Sequence, residues 1–468
     1  EEVILKKIKH KNKYLSKNFK LNILAEEAKS KILNKLIIKN ISINSKSIKK
    51  NDVFFAIKGK KRDGNKYVSE AFKKKSSLVI LNRFNKNYPL SKQIKVKNSL
   101  SFLTKCSSIF RENINAKIIS ITGSCGKTTL KEMIGLTLKK ISKTTYSPKS
   151  FNNKYGVPLS LFNLKEKDEF GVFEVGMDKK GEINNLTKII RPNLGIITNI
   201  SYAHSKNFKN ITQIADAKSE MINNIKKGGT IILNMDDNFF NYHKKLALKE
   251  KLKIISFSIT NKFAMVKLVK IKKFKKKYEL FINVNGLSFS FYSHNDNRSH
   301  LYNILATLAA INVYKDINKL KKDNFLNFNN PEGRGDIAKV KFKKKNIFLV
   351  DEAYNSNPLS LKTAIENYDK IEVKNSKKYL ILGDMLELGK HSVKQHKLIS
   401  NIVNKTKIDQ VYVIGKYIKE SFKGFNLNKK GKILTNKSNI FDLINKDLNN
   451  NDYLMIKGSN STGLHKIT

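Results

Sequence analysis

Short runs of aliphatic and β-branched residues recur along this chain, and many of them end in glycine, asparagine or aspartate. From about Leu21, LNILAEEAKSKILNKL spaces its apolar residues along one helical face. ISINSKSIKKNDVFFAIKG follows, with β-branched segments between Asn, Ser and Gly, the pattern of strands and turns. AFKKKSSLVILNR then reads as a helix end running into a strand, so a small α/β unit is expected to close near Arg111. A second unit opens at Ile118 with the strand IISITG and a helix from Thr128 to about Lys140. EFGVFEVG (169–176), LGIITNI (194–200) and GTIILNMDD (229–237) are its later strands. Strands alternating with helices predict a mostly parallel sheet covered on both faces. Residues 251–295 carry patterns such as YELFINVNGLSFSFYS, which predict an antiparallel extension before the helix HLYNILATLAAINVY. A third unit begins around PEGRGDI (331–337) and alternates NIFLVDEA, KYLILGDM, QVYVIG and DYLMIKGS with helical patterns. The expected division is a loose basic arm over 1–20 and α/β units over 21–112, 113–328 and 329–468, with no internal repeat.

A chain of 468 residues is too long for one core and agrees with about three. The formal charge of +54 raises the question of nucleic acid. However, the excess is 86 Lys against six Arg, spread from end to end, without the Arg forks and clustered aromatics of base readers. No nucleic-acid partner is therefore expected, and runs such as KKFKKK (272–277) read as solvated faces. The two cysteines, Cys106 and Cys125, make no disulfide framework and fit a reducing compartment. No apolar run approaches the length of about 18 residues that a membrane span needs. The first twenty residues lack the apolar core of a signal peptide. A soluble, cytoplasmic protein is expected. The first residue is Glu, so the chain is expected to lack its original start.

The chemistry concentrates where strands end. Gly123-Ser124-Cys125-Gly126-Lys127-Thr128-Thr129 lies between a strand and a helix, the setting of a phosphate-binding loop. There Gly123 and Gly126 let backbone N–H groups approach phosphate, Lys127 reaches the terminal phosphates and Thr128 offers a hydroxyl to magnesium. The general pattern G-x-x-x-x-G-K-[ST] would place its first glycine at Ile121, a strand residue instead. Glu174 ends EFGVFEV and is a hard oxygen donor suited to magnesium. His204, after LGIITNI, is open to two readings, packed residue or ligand. Lys218, in ITQIADAKSEMINNI, reads on pattern alone as an exposed helical lysine. In VDEAYNSNP (350–358), Asp351, Asn355 and Asn357 could face a nucleoside, and GDMLELG (383–389) repeats the strand-to-loop pattern; ordinary turn chemistry explains either string alone.

As an ordered set these stretches resemble the Mur ligase family, and within it the MurF type. Thr122 to Thr129 match that family's T-G-S/T-x-G-K-T-[ST] loop, which has no early glycine. The likeness continues through FNNKYGVP, EVG…GEI, TNI…AH, AKSE, HLYNILA, GRGD, DEAYNSNP, GDMLELG and KGS, from about Leu21 to Lys466. The D-N-P-R stretch of the relatives that add diaminopimelate or lysine is absent. The resemblance implies a small N-terminal α/β domain holding a UDP-sugar, a central P-loop-type domain with a mostly parallel sheet, and a C-terminal Rossmann-like α/β domain. It implies ATP-driven joining of D-Ala-D-Ala to a UDP-MurNAc-tripeptide through an acyl phosphate, by a monomer, with two magnesium ions. By resemblance, Gly123 to Thr129 bind ATP, and Thr128 and Glu174 hold the first ion. His204 helps to hold the second, and Lys218 matches a carbamylated lysine that ligates magnesium. Asn303, Arg334, Asp351 and Asn355 match ATP contacts. Ser45 and Lys46 fall at the UDP-sugar site, and Asn152 and Asn153 in the central substrate loop. The chain departs from the family at Asn44 and Lys46 (usually Asp and Arg), Lys206 (Glu), Asn460 (Arg) and His465 (Glu). The placement of Asp351 and Arg334 away from the loop implies that the third unit closes over the second. Three alternatives stay open: a Mur ligase adding a single amino acid, a basic P-loop ATPase that binds nucleic acid, and a binding protein without turnover. The ATPase would carry an early loop glycine and a Walker-B Asp, where this chain has Ile121 and Glu174.

Overall fold

The computed structural model describes residues 23–24, 36–59, 62–275 and 277–466. The arm expected over 1–20 lies outside them, as does most of the helix expected from Leu21; Ile23 and Leu24 are helical and buried. Three sheets follow in chain order. The first is wholly parallel, with β1 (Ile41–Ser42), β2 (Val53–Phe55), β3 (Leu78–Leu81) and β4 (Gln93–Lys95) side by side.

The second sheet has nine strands. They are β5 (Lys117–Thr122), β6 (Thr144–Tyr146), β7 (Phe170–Glu174), β8 (Leu194–Ile197), β9 (Thr230–Asn234), β10 (Lys253–Ser258), β11 (Val266–Lys273), β12 (Tyr278–Val284) and β13 (Leu287–Ser293). Their order is β13-β12-β11-β10-β9-β8-β5-β7-β6. Every pair from β6 to β11 is parallel, and β11-β12 and β12-β13 are antiparallel. The antiparallel extension expected over 251–295 therefore starts only after β11, because Phe257 and Ser258 of β10 pair in parallel with Val266 and Lys267. β5 is buried from Ile118 to Thr122, as a strand covered on both faces must be. Alternation sends Ile118 to one core and Ile119 and Ile121 to the other. On the second face, helices Lys127–Lys139 and Arg298–Tyr314 pack together. Gly135 is required in the first of these, because a Cβ there would lie 2.4 Å from the Tyr146 ring.

The first sheet does not have a core of its own on both faces. Val53, Phe55, Leu78 and Ile80 share a core with Phe110, Phe162 and Ile183 of the second unit. Helix Ser99–Glu112 is the bridge: Phe102 stacks on Phe55 and Phe110 packs on Phe162.

The third sheet comprises β14 (Asp336–Phe342), β15 (Lys345–Glu352), β16 (Lys378–Gly383), β17 (Gln410–Ile414), β18 (Lys430–Leu434) and β19 (Tyr453–Lys457). Its order is β14-β15-β19-β16-β17-β18, and only the β14-β15 hairpin is antiparallel. Apolar residues lie on both of its faces, as the doubly wound reading of the third unit requires.

Two histidines are sealed into the second unit. His243 is 2 % exposed, with Nε2 3.3 Å from the Ala215 carbonyl, and burial pushes its pKa down to about 4. His300 is held down to about 3, by burial first and then by His294. Both stay neutral in the fold, whereas the unfolded chain takes up these protons near pH 6.5. Stability is thus complete above pH 6.5 and falls as pH drops towards 4. His243 alone accounts for roughly 3 kcal/mol over that window. Urea midpoints measured from pH 7 to 4.5 should show this decline, with a shallower slope in His243→Gln.

Candidate active site

At β5 the sheet order turns, with β7 on one side and β8 on the other, and ligands collect at the carboxyl end of such a point. The glycine loop leaves β5 there. Ile121 is still a paired strand residue, opposite Glu174 and Ile196, so the strand runs on where an ordinary phosphate loop would already have turned. Gly123 (φ 143°) and Gly126 (φ 81°) make the bend, and a Cβ on Gly123 would lie 1.9 Å from Thr198 Oγ1. The segment after β8 pins the loop: Ser124 N donates to Asn199 O at 2.9 Å, and Cys125 N to Asn199 Oδ1 at 2.9 Å. Thr198 Oγ1 donates to Cys125 O at 2.7 Å, and Ser124 Oγ to Ser201 O at 3.0 Å. Gly126 caps helix Lys127–Lys139, whose first N–H groups are those that every helix start leaves without a helical partner.

Two lysines converge on one carbonyl. Lys127 Nζ and Lys218 Nζ each donate to Gly123 O at 2.9 Å. Lys218 is 1 % exposed, which corrects the expectation of an exposed helical lysine. Helix Ile211–Ser219 buries Lys218 together with Ile214, Ala215, Ala217 and Ser219. Burial, then the charge of Lys127, holds the Lys218 pKa well below the ordinary lysine value. Burial also lowers Lys127, while Glu174 pulls it back up.

Glu174 is fully buried at the end of β7. Its Oε1 accepts from Asn152 Nδ2 at 2.6 Å, and its Oε2 has no hydrogen-bond partner among the described residues. A buried carboxylate oxygen left open beside a lysine and a threonine hydroxyl fits a hard cation. Thr128 Oγ1 lies 3.2 Å from Ser150 Oγ and accepts from Arg334 Nη2 at 3.1 Å. Thr129 is buried behind it. His204 takes a left-handed conformation (φ 54°), with Nδ1 3.0 Å from Asp178 Oδ1 and 2.6 Å from Glu387 Oε2. Burial opposes a charged imidazole, but the two carboxylates outweigh it and its pKa is raised.

Lys127, Thr128, Thr129, Ser150, Glu174, His204 and Glu387 line a cleft of about 1670 Å³ between the second and third sheets, and Lys218 lies behind its wall. Asn152, Asn303, Arg334 and Asn355 also face it. Asp351 instead accepts from the Ala353 N–H of its own turn at 3.0 Å, and Glu352 lines the cleft, as alternation along β15 requires. Asn153 caps the N–H groups of Tyr155 and Gly156. Ser45 and Lys46 are not among the lining residues; they sit in the first unit, where Ser45 Oγ donates to Glu70 Oε2 at 2.7 Å. Four residues important to this geometry were not singled out from sequence: Ser150, Asp178, Tyr354 and Glu387. Tyr354 and Glu387 lie inside VDEAYNSNP and GDMLELG, strings whose turn character concealed them. Lys206, a departure from the family, meets the third unit through its backbone, donating to Glu387 O at 3.0 Å.

Family models match in chain order, the Mur ligase middle domain over residues 121–311 and the Mur ligase, glutamate ligase domain over 338–460. A UDP-N-acetylmuramoyl-tripeptide–D-alanyl-D-alanine ligase of Buchnera aphidicola subsp. Acyrthosiphon pisum is 32% identical over 450 residues, 92% of this chain and 93% of that protein. This chain belongs to the Mur ligase family. A ligase of the same name from Rickettsia prowazekii is 31% identical over 93% of this chain and 96% of its own length. The crystal structure of MurF from Acinetobacter baumannii shares the fold with a TM-score of 0.82 at 23% identity, covering 95% of this chain and 97% of that one. MurF ligase from Thermotoga maritima, solved in complex with ADP, does so with a TM-score of 0.77 at 24% identity over 93% and 97%. The α/β architecture with its three sheets is thus that of a Mur ligase.

The loop of this Mur ligase tolerates no side chain at Gly123. Gly123→Ala should push Thr198 aside and weaken binding of a fluorescent ATP analogue by tenfold or more, roughly the effect of one misplaced phosphate contact. Fluorescence titration against the parent protein checks this.

Proposed function

We propose that this Mur ligase joins D-alanyl-D-alanine to UDP-N-acetylmuramoyl-tripeptide, driven by ATP, as a step in making the cell-wall precursor. The observation that carries it is near-full-length similarity, at 32% and 31% identity, to ligases of that name in Buchnera and Rickettsia. The loop supports it, being open to phosphate and flanked by Lys127 and Arg334 from opposite sides of the cleft. Membership of this family and the dispersed lysines weigh against a nucleic-acid ATPase.

The reaction transfers the γ-phosphoryl group of ATP to the tripeptide's terminal carboxylate, releasing ADP. The amine of D-Ala-D-Ala then attacks the acyl carbon, and phosphate leaves as the amide forms. Lys127 and Arg334 neutralise charge on the phosphates, and closure of the cleft holds the reactants in line. Bound magnesium would supply further charge neutralisation at the transferred group. Thr128 and Glu174 would hold one ion, which the open Oε2 of Glu174 favours. His204 and Lys218 would serve a second. For that, His204 would ligate through Nε2 as a neutral imidazole, with Nδ1 still facing Asp178 and Glu387. Lys218 would act as a carbamate, which its burial beside Lys127 favours by disfavouring the ammonium form. Asn303 and Asn355 are assigned to the nucleoside side, with Asp351 shaping the turn that leads to Asn355. Asn152 is assigned to the tripeptide, with Asn153 capping the turn beside it, and Ser45 and Lys46 to the UDP-sugar. One chain supplies every residue named, so a monomer suffices. Among the described residues no helix is long and apolar enough to cross a membrane, and a UDP-linked, ATP-driven step suits the cytoplasm.

Phosphate release from ATP with magnesium and the UDP-linked tripeptide is expected to depend on D-Ala-D-Ala and to yield the pentapeptide. Release with a single amino acid would keep the family and change the step, and release stimulated only by DNA would overturn the reading. Lys127→Ala should abolish release. Lys218→Ala should lose activity and regain part of it with added short carboxylic acids; full activity without rescue would refute the carbamate.

A further inference from the structure

Four side chains close a ring across the cleft. Thr128 belongs to the glycine loop and Ser150 to the segment after β6, both in the second unit. Arg334 and Tyr354 flank the β14-β15 hairpin of the third. Tyr354 OH donates to Ser150 Oγ at 2.8 Å, Ser150 Oγ meets Thr128 Oγ1 at 3.2 Å, and Thr128 Oγ1 accepts from Arg334 at 3.1 Å. The guanidinium carbon of Arg334 lies 4.6 Å from the centre of the Tyr354 ring, which completes the circuit. Neither side of the ring is loose. Lys131, fully buried, donates to Ser147 O and Lys149 O at 2.6 Å each and ties the Ser150 segment to helix Lys127–Lys139. Gly333 (φ 72°) lies directly against Tyr354, where a Cβ would come within 2.8 Å of the Tyr354 Cβ.

Proton bookkeeping gives the ring a direction. A hydroxyl has one donor and two lone pairs. Thr128 Oγ1 already accepts from Arg334. If Ser150 also donated to it, both lone pairs would be filled and no cation could approach. If Thr128 donates to Ser150, then Ser150 accepts from Thr128 and Tyr354 together, and Thr128 keeps one lone pair facing the loop. Tyr354, by donating, takes one Ser150 lone pair and leaves the other for Thr128. The same segment bears on Glu174, because Asn152 N donates to Ser150 O at 2.8 Å and Asn152 Nδ2 holds Glu174 Oε1.

We infer that Ser150 and Tyr354 are positioning residues for phosphoryl transfer: their hydroxyl bridge forms when the third unit closes, and it sets Thr128, Arg334 and, through Asn152, Glu174. This rests on the ligase reading above. Binding of each substrate to the open protein does not need the bridge, so its loss falls on kcat. Tyr354→Phe keeps the ring beneath Arg334 and removes only the hydroxyl; Ser150→Ala removes the other end.

The test is a double-mutant cycle on phosphate release in the presence of all three substrates. Each single variant is expected to lose about tenfold in kcat, with KM for ATP and the tripeptide unchanged within about twofold. The double variant should be no slower than the slower single, because both remove one bridge. Thermal midpoints measured alongside separate a folding defect, and Ser150→Ala carries the test alone if Tyr354→Phe does not fold. Singles that keep more than half of kcat, losses that multiply in the double, or a change in KM instead of kcat would each overturn the inference. Wild-type protein inactive with D-Ala-D-Ala would tell against the ligase reading instead. The same cycle would then be read as compaction with an ATP analogue by small-angle scattering, where an unaltered compact fraction in both variants refutes the bridge.

Discussion

Two lysine side chains share the carbonyl of Gly123, and the site is organised around that arrangement. Lys218 is removed from water and Lys127 is half-buried at the cleft wall, with Glu174 the carboxylate that partly offsets it. Packing two amines against one carbonyl is unfavourable if both are charged, since like charges in a poorly solvated place repel strongly. The strain is relieved when Lys218 is neutral, and further relieved when anionic phosphate arrives. The loop can hold this arrangement because backbone and side-chain hydrogen bonds from Thr198, Asn199 and Ser201 fix its shape in advance. Lys127 is thereby held at the mouth of the loop, where an anionic phosphate would meet it.

The three units are joined in two different ways. The first and second share a continuous apolar core across helix Ser99–Glu112, and parting them would expose that core to water. The second and third meet mainly through polar contacts. Arg334 reaches Thr128, Cys125 Sγ donates to Asn357 Oδ1 at 3.2 Å, and His204 sits near Glu387. Gly389 (φ 56°) packs against Lys206 and leaves no room for a side chain. A polar interface can open into water at little cost, because water replaces each lost hydrogen bond, whereas an apolar one cannot. Separating the third unit from the second therefore costs less than separating the first from the second.

The +54 charge has little part in this. Many ion pairs are exposed, such as Lys273–Glu372 and Lys362–Glu366, and pairs of that kind contribute little. The lysines that matter are the buried ones. Lys131 and Lys429 each donate to two backbone carbonyls, and Lys457 is paired with Glu352 beside the cleft. A buried ammonium needs acceptors on several sides, and a loop that must be held in place provides carbonyls. Composition counts both kinds alike.

Local order was legible in the chain. The strand before the loop, the glycines at Gly123 and Gly126, the carboxylate ending β7 and the alternation of strand and helix follow from residue spacing, because each depends on neighbours in sequence. The order of motifs was enough to place the chain in its family. Burial of Lys218 was not legible, since nothing within one turn of its helix distinguishes it from a surface lysine. Nor were the partnerships of His204 with Asp178 and Glu387, of Thr128 with Ser150 and Arg334, or of Ser150 with Tyr354. These pairs are separated by as much as 206 residues, and only the packing of the sheets brings them together. Sequence determined which side chains could do the chemistry. Tertiary structure decided which of them meet and in what charge state, because desolvation and hydrogen-bond geometry exist only once distant segments are in contact.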